Sequence, residues 1–292
     1  MLAWIPLSLA SAAANASYLF GLKRLIEPHG QDLVAGGIHL SASILLLVTA
    51  VLVGIPEIGP LFLPAVAATT ALNAVATYLT LRAFRVTDLS IAVPMLSFTP
   101  AALLLTSPVF EGELPPLLGV LGIALIVTGS YVLNLTARCR SLLEPLRALG
   151  RDPGVRAMLG VAMIYALTSQ FDKVVVQQSD PFIGSALVTL LLGGFFLARA
   201  LAARRVRPPR SVPWRDRGSI VGLGALLAVE VVSINAAFLF VTVPYAVALK
   251  RTSAVFSVLY GCVLSGESGL RQRAAGAVLM VLGAAVVILS ST

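Results

Sequence analysis

Five charged residues stand inside long apolar runs: Asp172 and Lys173, Glu230, and the adjacent pair Lys250 and Arg251. A charge at bilayer depth costs about 3 kcal/mol or more, so such residues are the first functional candidates. Lys173, Lys250 and Arg251 outnumber the acids near them, which points to a basic site for an anionic or zwitterionic solute. Arg251 has the fork geometry to clamp a carboxylate or phosphate, and Lys250 is a compact point charge. The two project about 100° apart on a helix, so both need not line one cavity. The competing reading is a structural ion pair of Glu230 with Lys250, with Asp172 and Lys173 snorkelling to the interface. A buried carboxyl can trade its charge for a proton, which makes Glu230 the candidate for proton coupling, opposed by any lysine beside it. Asn73 and His39 are further polar residues in apolar runs, suited to interhelical hydrogen bonds or, for Asn73, to solute contact.

These residues need apolar helices to hold them. The chain of 292 residues is 58% hydrophobic and only 12% charged, with a mean hydropathy of +0.95. A soluble domain carries about 25% charged residues, so this surface suits lipid rather than water. Apolar stretches of about 20 residues, each long enough to cross a bilayer, recur ten times. They cover roughly 3–22, 33–54, 60–81, 89–110 and 116–136, then 156–176, 182–201, 219–240, 244–264 and 274–290. The expected fold is therefore all-α and integral to the membrane. Lys173 late in the sixth span and Lys250 early in the ninth approach the same face, so the three cations are expected in one layer. Pro94, Pro100 and Pro108 in the fourth span predict a kinked helix lining a cavity.

The chain repeats itself at a shift of 154 residues. Ala83-Phe84 falls on Ala237-Phe238, Gly112-Glu113 on Gly266-Glu267, Gly122 on Gly276 and Gly129 on Gly283. The paired glycines are two turns apart on one helix face and suit close packing. Glu113 and Glu267 are expected to cap the helices that follow them, where negative charge is favoured. Each copy holds five spans, an odd number, so the second must enter from the opposite side. Residues 1–137 and 156–292 then form inverted repeats joined by a basic connector, 138–155. Transporters recurrently use that design, with the solute site at the repeat interface.

With these features the chain resembles the ten-span EamA-like members of the drug/metabolite transporter superfamily. The likeness rests on the joints between fourth and fifth spans. One is Pro108 to Glu113 followed by Gly122 and Gly129; the other is Leu264 to Glu267 followed by Gly276 and Gly283. The first span, ending in Asn15 to Lys23, looks similar too. The resemblance implies a cavity lined by spans one, three, four, six, eight and nine, with five and ten peripheral. It also implies transport of amino acids or other metabolites, without naming one.

The net charge of +8 would suggest nucleic acid in a soluble protein, but here the basic residues sit in short loops and report topology and anionic lipid. Eighteen of the twenty-one Lys and Arg residues flank the loops after odd-numbered spans. The positive-inside rule places those loops in the cytoplasm and both termini outside, whereas the family is usually drawn with its termini inside. Cys139 and Cys262, with His29 and His39, form no metal or protease pattern, and no phosphate loop is present. The expectation is no enzyme, no cofactor and no metal. The expected partners are a small solute and membrane lipid in the cell (inner or plasma) membrane; a homodimer is compatible with this. A non-transporting membrane subunit that serves a partner or a lipid-linked carrier is the alternative.

Overall fold

The computed structural model describes residues 2–26, 31–87, 92–135, 143–204, 214–257 and 270–291. Everything regular in them is helical. The first half contains α1 (Trp4–Ile26), α2 (Gln31–Val53), α3 (Phe62–Val86), a 3-10 segment (Val93–Phe98) running into α4 (Thr99–Phe110), and α5 (Leu117–Asn134). A short helix, Glu144–Ala148, lies in the connector. The second half contains α6 (Pro153–Gln177), α7 (Pro181–Arg204), α8 (Trp214–Ala237), α9 (Val243–Lys250) and α10 (Leu270–Ser290). Among the described residues seven helices are long and apolar enough to cross a membrane, while Pro94–Phe110 and Ala274–Ser290 are shorter apolar helices.

Side chains such as Leu52, Val109 and Leu117 are more than 70% exposed on the outside of the bundle. Exposed to water, such area would cost about 25 cal/mol per Å²; against lipid tails it costs nothing. The arrangement is that of a multi-span membrane protein. Inside, Trp4, Leu103, Ile123, Leu249 and Met280 join α1, α4, α5, α9 and α10 into one core.

The principal helix pairs join one half of the chain to the other: α1 packs on α8, α3 on α6, α2 on α7 and α5 on α10. At the last of these the two backbones nearly touch. A Cβ on Gly129 would stand 2.7 Å from the Gly276 carbonyl oxygen, and one on Gly283 would stand 2.7 Å from that of Gly122. The glycines that sequence spacing singled out are thus the seam between α5 and α10.

Two sets of contacts define the ends of the bundle. At the terminus end Trp4 stacks on Tyr245, whose hydroxyl meets Ser290 at 2.7 Å, and the Gly59 amide donates to the Gln178 carbonyl. At the opposite, basic end Arg199 reaches Asp32 at 3.4 Å, and the Thr87 hydroxyl donates to Asp152.

Asp152 also accepts from the Gly154 amide at 2.7 Å and the Val155 amide at 3.1 Å, capping α6. Burial pushes its carboxyl up, but the hydrogen bonds from Thr87, Val155 and Gly154, with Arg156 nearby, outweigh that and hold it below the usual value of 3.8. Asp152→Ala should therefore cost about 1 kcal/mol of stability near neutral pH. A depressed carboxyl stabilises above its unfolded pKa and loses that contribution as pH falls through its folded one. Thermal melts of the two proteins in detergent should separate at neutral pH and converge in acid.

Candidate functional site

The fourth and ninth spans both break, and they meet at their breaks. Pro94 starts the 3-10 segment and Pro100 sits in the first turn of α4, each removing an amide donor. In the second half α9 ends at Lys250 after eight residues. The chain then continues through i to i−3 bonds: the Thr252 amide donates to Leu249 at 3.0 Å and the Val255 amide to Thr252 at 2.8 Å. Arg251 lies on this turn. Its Nη2 donates to the Thr99 hydroxyl at 2.7 Å, and that hydroxyl donates to the Leu96 carbonyl at 2.9 Å, across the break in the fourth span. Nε of Arg251 is buried without a hydrogen-bond partner among the described residues. No carboxylate among them pairs with it either.

Lys250 points elsewhere. Its ammonium is 2.8 Å from Glu230 Oε1, and the same oxygen accepts from Asn15 Nδ2 at 3.0 Å. Glu230 is only 6% exposed, so its charge is satisfied by α1 and α9 rather than by solvent. Tyr18 of α1, His39 of α2 and Tyr165 of α6 lie near enough to feel that charge. Tyr165 also lies near Arg251, and Lys250 acts on Asp172. Asp172 accepts from the Thr69 hydroxyl of α3 at 2.7 Å. Asn73 donates within its own helix, to the Thr69 carbonyl at 3.0 Å and hydroxyl at 3.3 Å. His39 bonds the Ala35 carbonyl at 2.9 Å. Of the predicted site residues, Lys250 and Glu230 therefore pair beside Arg251, while Asp172 and Asn73 both bond to Thr69 of α3.

Lys173 does not join them. It pairs with Glu111 and reaches the Val241 carbonyl at 3.4 Å, at the terminus end of the bundle. Lys250 is seven residues past Val243, about 10 Å deeper. The single basic layer expected from sequence is two levels, because a late position in one helix and an early one in its neighbour can differ by two turns of depth.

Glu111 was not among the sequence candidates. Both its carboxylate oxygens accept from the Val243 amide at 3.3 Å, so it caps α9 from the end of α4. Ser107, one turn earlier on the same face, donates to it at 3.1 Å. The Ser107/Glu111 spacing was the available signal, hidden because a glutamate at a span end reads as interfacial. Gly112 then turns the chain at a φ of +75°, a conformation that favours glycine, and leaves Glu113 exposed. The capping expected of Glu113 is not found: α5 starts after Pro116 with no side-chain cap. Gly266 and Glu267 lie outside the described residues.

Discontinuous helices crossing beside buried charge are the arrangement by which membrane carriers hold solutes. Residues 152–289 match the model of the EamA-like transporter family. That segment is an EamA-like transporter domain. The whole chain also has the fold of a protein solved by crystallography, at 16% identity and a TM-score of 0.77, over 98% of this chain and 97% of that one. No curated protein matches the chain significantly. The EamA-like match covers that segment, residues 152–289, and names no solute.

Proposed function

We propose that this EamA-like chain is a secondary transporter of a small anionic or zwitterionic metabolite, working by alternating access between two inverted five-helix repeats in the cell membrane. The observation that carries the solute class is Arg251. A half-buried guanidinium held by one hydroxyl, with its Nε buried and unpartnered among the described residues, lacks the charged partner that such a position calls for. A solute carboxylate would supply both. Lys250 lies on the adjacent turn and Asp172 within its field, a place for the opposite pole of a zwitterion.

Several contacts support the repeat. A shift of 154 residues exchanges α1 with α6 and α3 with α8, and so turns the α1–α8 pair into the α6–α3 pair. The glycine contacts 122–283 and 129–276 also exchange into one another. Thr99, at the first break, falls on Ser253, beside the second. With the basic loops in the cytoplasm the termini lie outside, and the terminus end of the bundle faces out.

Uptake by proteoliposomes containing this chain alone tests the reading. Labelled organic acids, amino acids and amines are offered in parallel. Carboxylate-bearing solutes should enter, and Arg251→Gln should lower their uptake at least tenfold, the scale of one lost charged hydrogen bond. Uptake of amines only would overturn the solute class. No uptake of any solute would favour a non-transporting subunit instead.

A further inference from the structure

A polar cavity lies apart from the Arg251 and Glu230 cluster. It has a volume of about 270 Å³ and sits at the terminus end, between the end of α4, the last turns of α6 and Thr242 ahead of α9. Gln170, Lys173 and Gln177 line it from one face of α6; Glu111 and Glu113 line it from the opposite wall. The one cation lining it among the described residues is already committed, since Lys173 pairs with Glu111. Glu113 is exposed on its wall.

The decisive group is Gln170, which is 1% exposed. Its Nε2 donates to the hydroxyls of Thr106 at 3.4 Å and Ser107 at 3.0 Å. Those hydroxyls have spent their own protons, Thr106 on the Leu103 carbonyl at 3.3 Å and Ser107 on Glu111 at 3.1 Å. Each can therefore only accept from Gln170, which fixes the amide with its oxygen away from them. That oxygen is buried with no donor among the described residues, and so is the Thr242 hydroxyl. A buried amide oxygen left without a donor is destabilising, so the position favours a ligand that donates to it. Among the described residues the cavity thus offers a carboxylate and an amide acceptor and no uncommitted cation.

We infer that this cavity is an outer station that receives the ammonium end of a solute, through Gln170 Oε1 and Glu113, before the solute passes inward. Thr242 is nine residues ahead of Arg251, about 13 Å along the same helix path. Small solutes would occupy the two levels in turn. An outer level that selects for ammonium and an inner level that selects for carboxylate together favour a zwitterion over a simple acid or amine. The place in a transport path rests on the transporter reading; the preference for cations stands on the cavity alone.

The test reads the cavity without any flux, so its failure is distinct from failure of transport. In a chain with Cys139 and Cys262 replaced by serine, Gln177→Cys places one thiol on the exposed rim. Purified protein in detergent is treated with an aminoethyl or a sulfonatoethyl methanethiosulfonate, with rates normalised to free mercaptoethanol. One negative charge a few ångströms away should make the cationic reagent faster by about fivefold. Methylammonium should slow the modification and acetate should not. Glu113→Gln should reduce the preference, and Gln170→Leu should abolish protection by methylammonium. Should Gln170→Leu fail to fold, Glu113→Gln on the exposed loop still decides the matter. Equal normalised rates, a preference for the anionic reagent, protection by acetate, or a thiol that neither reagent reaches would each overturn the inference.

Discussion

Glu230→Gln should abolish uptake driven by a pH gradient while leaving solute exchange across the same membrane within about threefold of the parent. In the proposed mechanism Glu230 and a solute carboxylate would compete for one ammonium, that of Lys250, which lies 2.8 Å from Glu230 Oε1. When Glu230 takes a proton, its hold on Lys250 falls from an ion pair to a hydrogen bond. Lys250 is then available beside Arg251 for the solute. Proton and solute would thereby be linked without touching each other, and linkage of this kind is reciprocal. Glutamine copies the protonated state: it keeps the shape and an oxygen that can still accept from Asn15, so the bundle keeps its packing. The variant should bind and exchange solute and should ignore pH. Uptake is measured in proteoliposomes with and without an imposed gradient, and exchange with labelled solute on both sides. Retained pH-driven uptake in Glu230→Gln would remove this carboxyl from the mechanism and turn attention to Asp172.

Much of that cluster was legible in the sequence for a simple reason. Charge is so expensive in an apolar run that Glu230, Lys250, Arg251 and Asp172 stand out before any fold is known. Their partners do not. Asn15, Thr69 and Thr99 are hydroxyl or amide residues of a sort common in membrane helices, and only the packing of α1, α3 and α4 gives them an object. Depth was illegible too: Lys173 and Lys250 approach one face, but the span boundaries leave a turn or two of freedom at each. The break after Lys250 carries no proline at its site, since Pro244 lies in the first turn of α9. The repeat did hold a clue, because Thr99 at the proline-marked break falls on Ser253. Glu111 was missed for the opposite reason to Glu230: at a span end a carboxylate costs little, so its spacing from Ser107 alone does not mark it as buried against α9.

Gly129→Leu and Gly283→Leu should each destabilise the protein severely, by about 3 kcal/mol or more, and by similar amounts. The cause is backbone against backbone. A Cβ on Gly129 would lie 2.7 Å from the Gly276 oxygen and 2.8 Å from the Met280 nitrogen. A Cβ on Gly283 would lie 2.7 Å from the Gly122 oxygen and 2.8 Å from the Ile126 nitrogen. No rotamer change relieves such contacts; α5 and α10 must move apart, giving up the dispersion contacts that hold helices together where lipid is as apolar as the side chains. Gly222 of α8 supplies the control, because a Cβ there meets nothing within 4 Å. Gly222→Ala should be neutral or slightly stabilising, since glycine is a poor helix former. Melting in detergent, followed by loss of the monodisperse peak in size exclusion, reads all three. Equal stability of Gly129→Leu and Gly222→Ala would dispose of the close seam. The comparison of Gly129 with Gly283 asks more. In an inverted repeat these two residues are one position seen twice, each facing a carbonyl and an amide of the other half. Matched losses are what that symmetry demands, and a clear difference between them would count against the repeat while leaving the seam itself intact.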